Sequence, residues 1–432
     1  MPSKRFKAKV LLPGACILLL SSIYYMSEDS KIIYRDEKEK IQALRRNENL
    51  QGPSSESRFS HHTTRKNKPI QQDIQVDRVP SSLVAIERSY QSALQNFRTN
   101  LHSLKLAANK DHDVIRTLAE CERKPFLLIL VHTKPGSFAR REAIRQSWGR
   151  PDRNFNQMHN VNNRSWKTVF LIGKSRNKFI QSALAEESKR SRDVIFGSFE
   201  ESYPNLYKKM VLGIEWPQNN CPADYILKTD DDCYVSVQAL ITWLDSYHVI
   251  NASQPLYTGN LALHSKAIRD SSHRNYLSRD QYPEEEFPAY ISGGGYLFSG
   301  FLLPRLISGS KRVKMFPVED ACFGTIMNEI RVRPTADLRF LPFIFCGFDR
   351  SGVYRPVYAL YRPLCELLGP FVIHGLRPEG QITLHYNVRI MTAVSSICSQ
   401  YQRNAWLRAR RRCVVPKQQR VSALLAKARN VA

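Results

Sequence analysis

Lys228-Thr229-Asp230-Asp231-Asp232 is where chemically capable residues are most concentrated, with three consecutive carboxylates closing a short, mostly apolar run. Like charges packed this closely repel unless a cation neutralises them, so a divalent metal gripping a phosphorylated substrate is one reading. A solvated acidic turn ahead of a helix beginning near Ser236 reads equally well. An EF-hand is excluded, because its spaced ligands, its glycine and its final glutamate are missing. A second constellation, Phe287 to Ser299, sets Gly293, Gly294 and Gly295 between aromatic residues. Such a backbone must approach a ligand closely or turn sharply, unless it is a plain loop before an apolar strand. Glu319 and Asp320 form an acidic pair in otherwise basic surroundings. A buried carboxylate beside a substrate hydroxyl can serve as general base, whereas a helix start or a salt bridge is the commoner use of such a pair. Arg140, Arg141 and Arg145 fall at i, i+1 and i+5 after Gly136, so two of them can face a phosphate at a helix N-terminus or line a solvated face.

The elements that must position these residues alternate in kind. Phe126 to His132 is a continuous apolar run bounded by Lys-Pro and Pro-Gly, the pattern of a buried parallel strand. Helix is expected over Phe138 to Trp148, strand over Thr168 to Ile172, helix over Asn177 to Ser191 and strand over Val194 to Phe199. Helix over Tyr203 to Trp216, strand over Asp224 to Thr229 and helix over Ser236 to Tyr247 complete the series. Strands separated by helical stretches predict a doubly wound α/β sheet, in which ligands gather beyond the carboxyl ends of strands, where the three aspartates stand.

Upstream, Val10 to Met26 gives 17 consecutive uncharged, mostly apolar residues, preceded by Lys4, Arg5, Lys7 and Lys9 and followed by Glu28 and Asp29. A helix here reaches roughly 25 Å, enough for a thin bilayer. The basic flank predicts a cytoplasmic tail over 1–9, an anchor over 10–26 and a lumenal remainder. No clear small-x-small cleavage site follows, which favours the anchor over a cleaved signal peptide. Residues 27–120 read as a stem, polar to about residue 80, with an amphipathic helix over about 83–108 on which Tyr90, Leu94, Phe97, Leu101 and Leu104 form one stripe. That stripe suits docking on the following domain or a short coiled coil that would make a homodimer. The catalytic domain is expected over 121–398, and 399–432 is a tail with nine Lys or Arg and no acid.

The 432 residues carry a net charge of +25, which allows nucleic acid, an anionic membrane or glycan surface, or a phosphate-bearing small molecule as partner. Routing to the secretory pathway, with no nucleic-acid-binding signature, sets nucleic acid aside. Nine cysteines without a C-x-x-C pair suit disulfides in an oxidising lumen better than structural zinc. Asn163 and Asn251 head sequons for N-glycans.

Several blocks in order resemble the β-1,3-galactosyltransferase and β-1,3-N-acetylglucosaminyltransferase family, glycosyltransferase family 31. These are FLLILVHTKPGSFARREAIRQSWG (126–149), TVFLIGKS (168–175), DVIFGSFEESYPNLYKK (193–209), KTDDDCYV (228–235), FPAYISGGGYLFS (287–299), VEDACFG (318–324) and FVIHGLRP (371–378), and the resemblance covers about 121 to 390. It departs from the family pattern at Ser147, Glu201, Tyr207, Ile291 and Ile326; Cys233 and Cys322 are additions, while Cys121 and Cys221 fall on family-like positions.

The resemblance implies a GT-A fold and inverting transfer of a hexose from a UDP-sugar to a glycan acceptor on glycoprotein or glycolipid, forming a β-1,3 linkage in the Golgi, from a single-pass type II membrane protein. Galactose is the favoured sugar, with N-acetylglucosamine or N-acetylgalactosamine as alternatives, and a non-catalytic lectin-like or chaperone relative as the alternative of another class. Carried over by position, Asp232 and His374 would hold Mn2+, Asp230 would face the ribose, and Asp320 would be the general base, with Glu319 as fallback. Asp231, Lys228, Arg140, Arg141, Arg145, Gly293, Gly294 and Gly295 would serve the UDP-sugar.

Overall fold

The computed structural model describes residues 81–107, 117–150, 164–341 and 368–393; the expected anchor, most of the stem, Asn163 and the basic tail lie outside them. Among the described residues no helix is long and apolar enough to cross a membrane. The chain divides into two compact units, Met1–Glu87 and Arg88–Ala432. Of the first, only the opening turns of helix α1 (Ser81–Ala107) are described.

In the second unit a seven-stranded sheet is built from β1 (Leu127–His132), β2 (Trp166–Lys174), β3 (Val194–Glu200), β4 (Tyr225–Asp230), β6 (Tyr257–Ala262), β7 (Tyr290–Ser299) and β8 (Thr335–Ala336), in the order β3-β2-β1-β4-β7-β6-β8. A second sheet joins β5 (Cys233–Val235), β10 (Val372–His374) and β9 (Phe340–Leu341) in the order β5-β10-β9. Strands β1 to β4 are mutually parallel, as the alternating pattern predicts. Beyond β4 the doubly wound sheet becomes mixed, because β7 runs antiparallel to both β4 and β6.

Alternation along β1 explains why its sequence is apolar throughout. Leu128 and Leu130 join a core with α4 (Leu206–Asn220), α6 (Leu303–Ser310) and α7 (Glu319–Glu329). Leu127, Ile129 and Val131 join another with α2 (Phe138–Arg145), α5 (Val237–Asn251) and α8 (Pro378–Ala393). Both faces are covered, so Leu127 to Val131 are all apolar. Helix α3 (Lys178–Ser191) starts at Asn177, whose side chain accepts hydrogen bonds from the amides of Phe179 and Ile180 and so satisfies two of the orphan donors of a helix N-terminus.

The boundary expected at residue 121 is corrected. From Arg88 onward α1 belongs to the unit that holds the sheet, with Tyr90, Ala93, Phe97 and Leu104 buried. Ser89 meets the Tyr386 hydroxyl at 3.1 Å, Tyr90 meets Thr383 at 3.3 Å, and Asn100 donates to Glu142 at 2.6 Å. Docking therefore covers the apolar stripe. Cys121 and Cys221 form a disulfide that fastens the approach to β1 to the residue after α4.

Candidate active site

From β1 the chain proceeds outward through β2 to β3, then returns to place β4 on the other side of β1. Loops diverge at such a reversal and leave a crevice beyond the carboxyl ends of the strands. His132 and Asp230, the last residues of β1 and β4, are register partners at its floor. A cavity of about 790 Å3 opens above them, lined by Thr133, Lys134, Ser137 and Arg140 from the β1–α2 segment, Glu201, Tyr203 and Lys209 from the β3–α4 segment, the three aspartates, Arg274 and His374. That volume falls in the usual range for small-molecule and cofactor sites.

The aspartates differ in duty. Asp231 is buried; it accepts from Thr133 Oγ1 at 2.7 Å and from Arg140 at 2.9 Å, while its carbonyl accepts from Gln381 at 2.8 Å. It therefore braces the loop while still lining the cavity. Asp230 and Asp232 line the cavity. The pairing of β10 with β5 sets His374 opposite Cys233, and the amides of Gly375 and Leu376 both donate to the Asp232 carbonyl. His374 Nε2 consequently lies 3.3 Å from Asp232 Oδ1, a buried oxygen that receives no hydrogen bond, while Oδ2 lies 3.2 Å from Arg140. One unsatisfied carboxylate oxygen beside an imidazole fits Mn2+. Cys233 Sγ completes a cluster whose candidate ligand atoms all lie within 4.8 Å of one another. Its thiol donates to Gly294 O at 2.9 Å and burial raises its pKa, so it remains a thiol.

Beside this cluster, β7 presents the glycines within a strand, which corrects the expectation of a turn or plain loop. Gly259 pairs with Tyr296 but Leu261 pairs with Ile291, so β7 carries extra residues and bulges there. The close approach is to protein side chains. A Cβ on Gly293 would stand 3.2 Å from Asp320 Oδ2, and one on Gly294 would stand 3.3 Å from the imidazole of His374. Asp320 Oδ2 accepts from the Gly293 amide at 2.8 Å and Oδ1 from the Ala321 amide at 2.9 Å. Burial raises the Asp320 pKa, against the opposing charge of Lys228 and these amides. Glu319 is fixed more tightly, accepting from the Tyr296 hydroxyl at 2.7 Å and pairing with Lys228 at 3.0 Å. Of the two carboxylates, Asp320 is the one without a charged partner among the described residues.

Three expected substrate contacts are corrected. Arg141 and Arg145 are buried and bind Glu187 at 2.7 Å each, with Asp193 taking the rest of Arg145, so neither reaches the cavity. Arg141 also donates to the carbonyls of Lys134 and Pro135 and so shapes the loop above β1. Lys228 is buried, and its Nζ donates to Asp230 at 2.9 Å and Gly293 O at 2.8 Å besides pairing with Glu319. An ammonium has three donors, and all are used. Of the expected arginines only Arg140 lines the cavity, joined by the exposed Lys134 and Arg274. Lys134, Arg274, His132, Thr133 and Lys209 escaped the motif reading; the position of His132, Thr133 and Lys134 at and just past the carboxyl end of β1 is the signal that could have found those three. Asn251 is the last residue of α5, with its amide 3.4 Å from the Tyr247 carbonyl.

Residues 139–337 match the family model described as Galactosyltransferase. Beta-1,3-galactosyltransferase 5 of Pan paniscus is 32% identical over 232 residues, covering 54% of this chain and 73% of that one. This chain belongs to that family. Within the family, N-acetyllactosaminide beta-1,3-N-acetylglucosaminyltransferase 2 of Mus musculus is 28% identical over 270 residues. That match covers 61% of this chain and 63% of the mouse protein, a little under two thirds of its length. Beta-1,3-galactosyltransferase 1 of Mus musculus is 29% identical over 292 residues, 66% of this chain and 79% of that one.

Proposed function

We propose that this chain is an inverting glycosyltransferase with a GT-A fold. It moves a hexose, galactose first, from a UDP-sugar to a hydroxyl of a glycan acceptor on glycoprotein or glycolipid and forms a β-1,3 linkage. The observation that carries the reading is Asp320: a half-buried carboxylate with elevated proton affinity, fixed by the Gly293 amide on the strand that also packs against His374. The names of the relatives fit it, since they pair β-1,3 linkage with galactosyl or N-acetylglucosaminyl transfer.

In this reading Asp320 takes the proton from the acceptor hydroxyl as its oxygen attacks the anomeric carbon, and the bond to UDP breaks on the opposite face. One base without an enzyme nucleophile gives a single displacement, hence inversion. Asp230 turns toward the ribose, while Arg140, Lys134 and Arg274 offer positive charge to the diphosphate. Asp232 and His374 would hold Mn2+, which supplies Lewis-acid stabilisation of the departing diphosphate when bound. Delivery to the Golgi membrane by a single-pass type II anchor over 10–26 belongs to the same proposal.

A form beginning near residue 83, incubated with UDP-galactose, UDP-N-acetylglucosamine or UDP-N-acetylgalactosamine, should consume one donor with Mn2+ present and lose that activity on chelation. Asp320→Asn should lower transfer by roughly 10²–10⁴-fold while UDP binding persists. Full activity in EDTA, or a near-normal rate in the Asn variant, would refute the metal role or the base respectively.

A further inference from the structure

A second cavity, of about 480 Å3, opens at the same edge of the sheet. Strand β7 ties the two sites together: Gly295 pairs with Thr229 beside Asp230, Gly293 holds Asp320, and Ala289, just before the strand, lines the second cavity. Helix α7 spans the same interval, from Asp320 in its first turn to Asn328, which also lines that cavity. Eight residues of helix cover about 12 Å, a span of roughly two or three pyranose rings.

Its chemistry is specific. Leu261, Leu263, Val332 and Pro334 make an apolar wall, and Arg331 and Arg333 are exposed at it without an acidic residue in the lining. Neither arginine is in an ion pair with a carboxylate among the described residues. Arg331 has φ 55°, the left-handed conformation in which glycine closes helices most cheaply, yet a charged side chain stands there. An apolar wall suits the C–H face of a sugar, and a guanidinium suits a carboxylate or sulfate in bidentate geometry.

We propose that this cavity is an acceptor subsite for an anionic sugar, one bearing a carboxylate or sulfate two or three residues back from the hydroxyl that Asp320 deprotonates. The inference rests on the glycosyltransferase reading above and narrows its acceptor to acidic glycans.

The full chain should be assayed on galactose-terminated di- and trisaccharides whose inner sugar is neutral, 6-sulfated or a glucuronate. The anionic acceptors should show a KM lower by roughly tenfold, a preference that weakens with salt. In Arg331→Gln/Arg333→Gln, with an unchanged melting temperature confirming the fold, that discrimination should fall to about twofold or less. Equal KM values for neutral and anionic acceptors in the wild type, or a preference that survives in the double variant, would overturn the subsite. If no UDP-sugar is consumed with any acceptor, the glycosyltransferase reading falls. Calorimetric binding of the sulfated and neutral trisaccharides then decides the subsite alone: discrimination that the double variant loses supports it, and equal binding removes it.

Discussion

At the scale of single residues, Lys228 joins the two halves of the candidate site. Its ammonium bridges Asp230 and Glu319 and spends its remaining donor on the Gly293 carbonyl, while the amide of that same glycine donates to Asp320. Burial disfavours a charged Lys228, yet Asp230 and Glu319 hold it protonated well above the ordinary lysine range. Lys228→Met would strand the buried Glu319 carboxylate, and a loss of about 3–5 kcal/mol in denaturant unfolding is expected. Asp320 makes a pH prediction. Its pKa is raised from 3.8, so the basic form exists only above that raised value. The acid limb of kcat/KM should therefore lie above pH 3.8, activity falling as pH drops through it; a limb at or below that point would contradict the assignment. Asp232, Asp320 and His374 were legible because each stands in its own quoted block. Arg141 and Arg145 were misread because spacing along a helix says which residues share a face, not whether that face meets ligand or core.

At the scale of elements, α2 and α3 are joined by a buried ionic cluster. Arg141 and Arg145 both bind Glu187, and Arg145 reaches on to Asp193. Burial alone would raise the Glu187 pKa, but the two guanidiniums hold it down at about 2. A carboxyl whose folded pKa is depressed stabilises above its unfolded value, and that contribution disappears as pH falls through the folded one. Stability should thus drop from near pH 4.5 toward pH 2. Glu187→Gln should both remove that dependence and cost about 3–5 kcal/mol, readable in urea titrations at several pH values. The parallel half of the sheet was legible from unbroken apolar runs alternating with helical stretches. The rest was not, since the reversed direction of β7 is set by its pairing with β4 and β6, and β8, β9 and β10 are two or three residues long and acquire their meaning only from pairing.

For the whole molecule, the charge of +25 now has a partial destination. The nine cations of the acid-free stretch 399–432 supply part of that excess, whereas Arg141, Arg145 and Lys228 are matched by buried carboxylates and add nothing to it. The stripe on α1 is absorbed by the body of the molecule, a use that spacing alone could not separate from a coiled coil. The disulfide from Cys121 to Cys221 spans a sequence separation of 100 residues and encloses β1, β2 and β3. Cys121→Ala/Cys221→Ala should destabilise by about 4 kcal/mol through the freed chain entropy, measured as a lower denaturant midpoint.

That bond also imposes a timetable on biosynthesis. Both cysteines precede β4 in the chain, so the loop that carries β1, β2 and β3 can be covalently closed while Asp320 and His374 are still unmade. Chains stalled far enough past residue 221 for that cysteine to clear the ribosome would then be protected from alkylation at both thiols. Asp320 and His374 arrive last, onto strands already fastened.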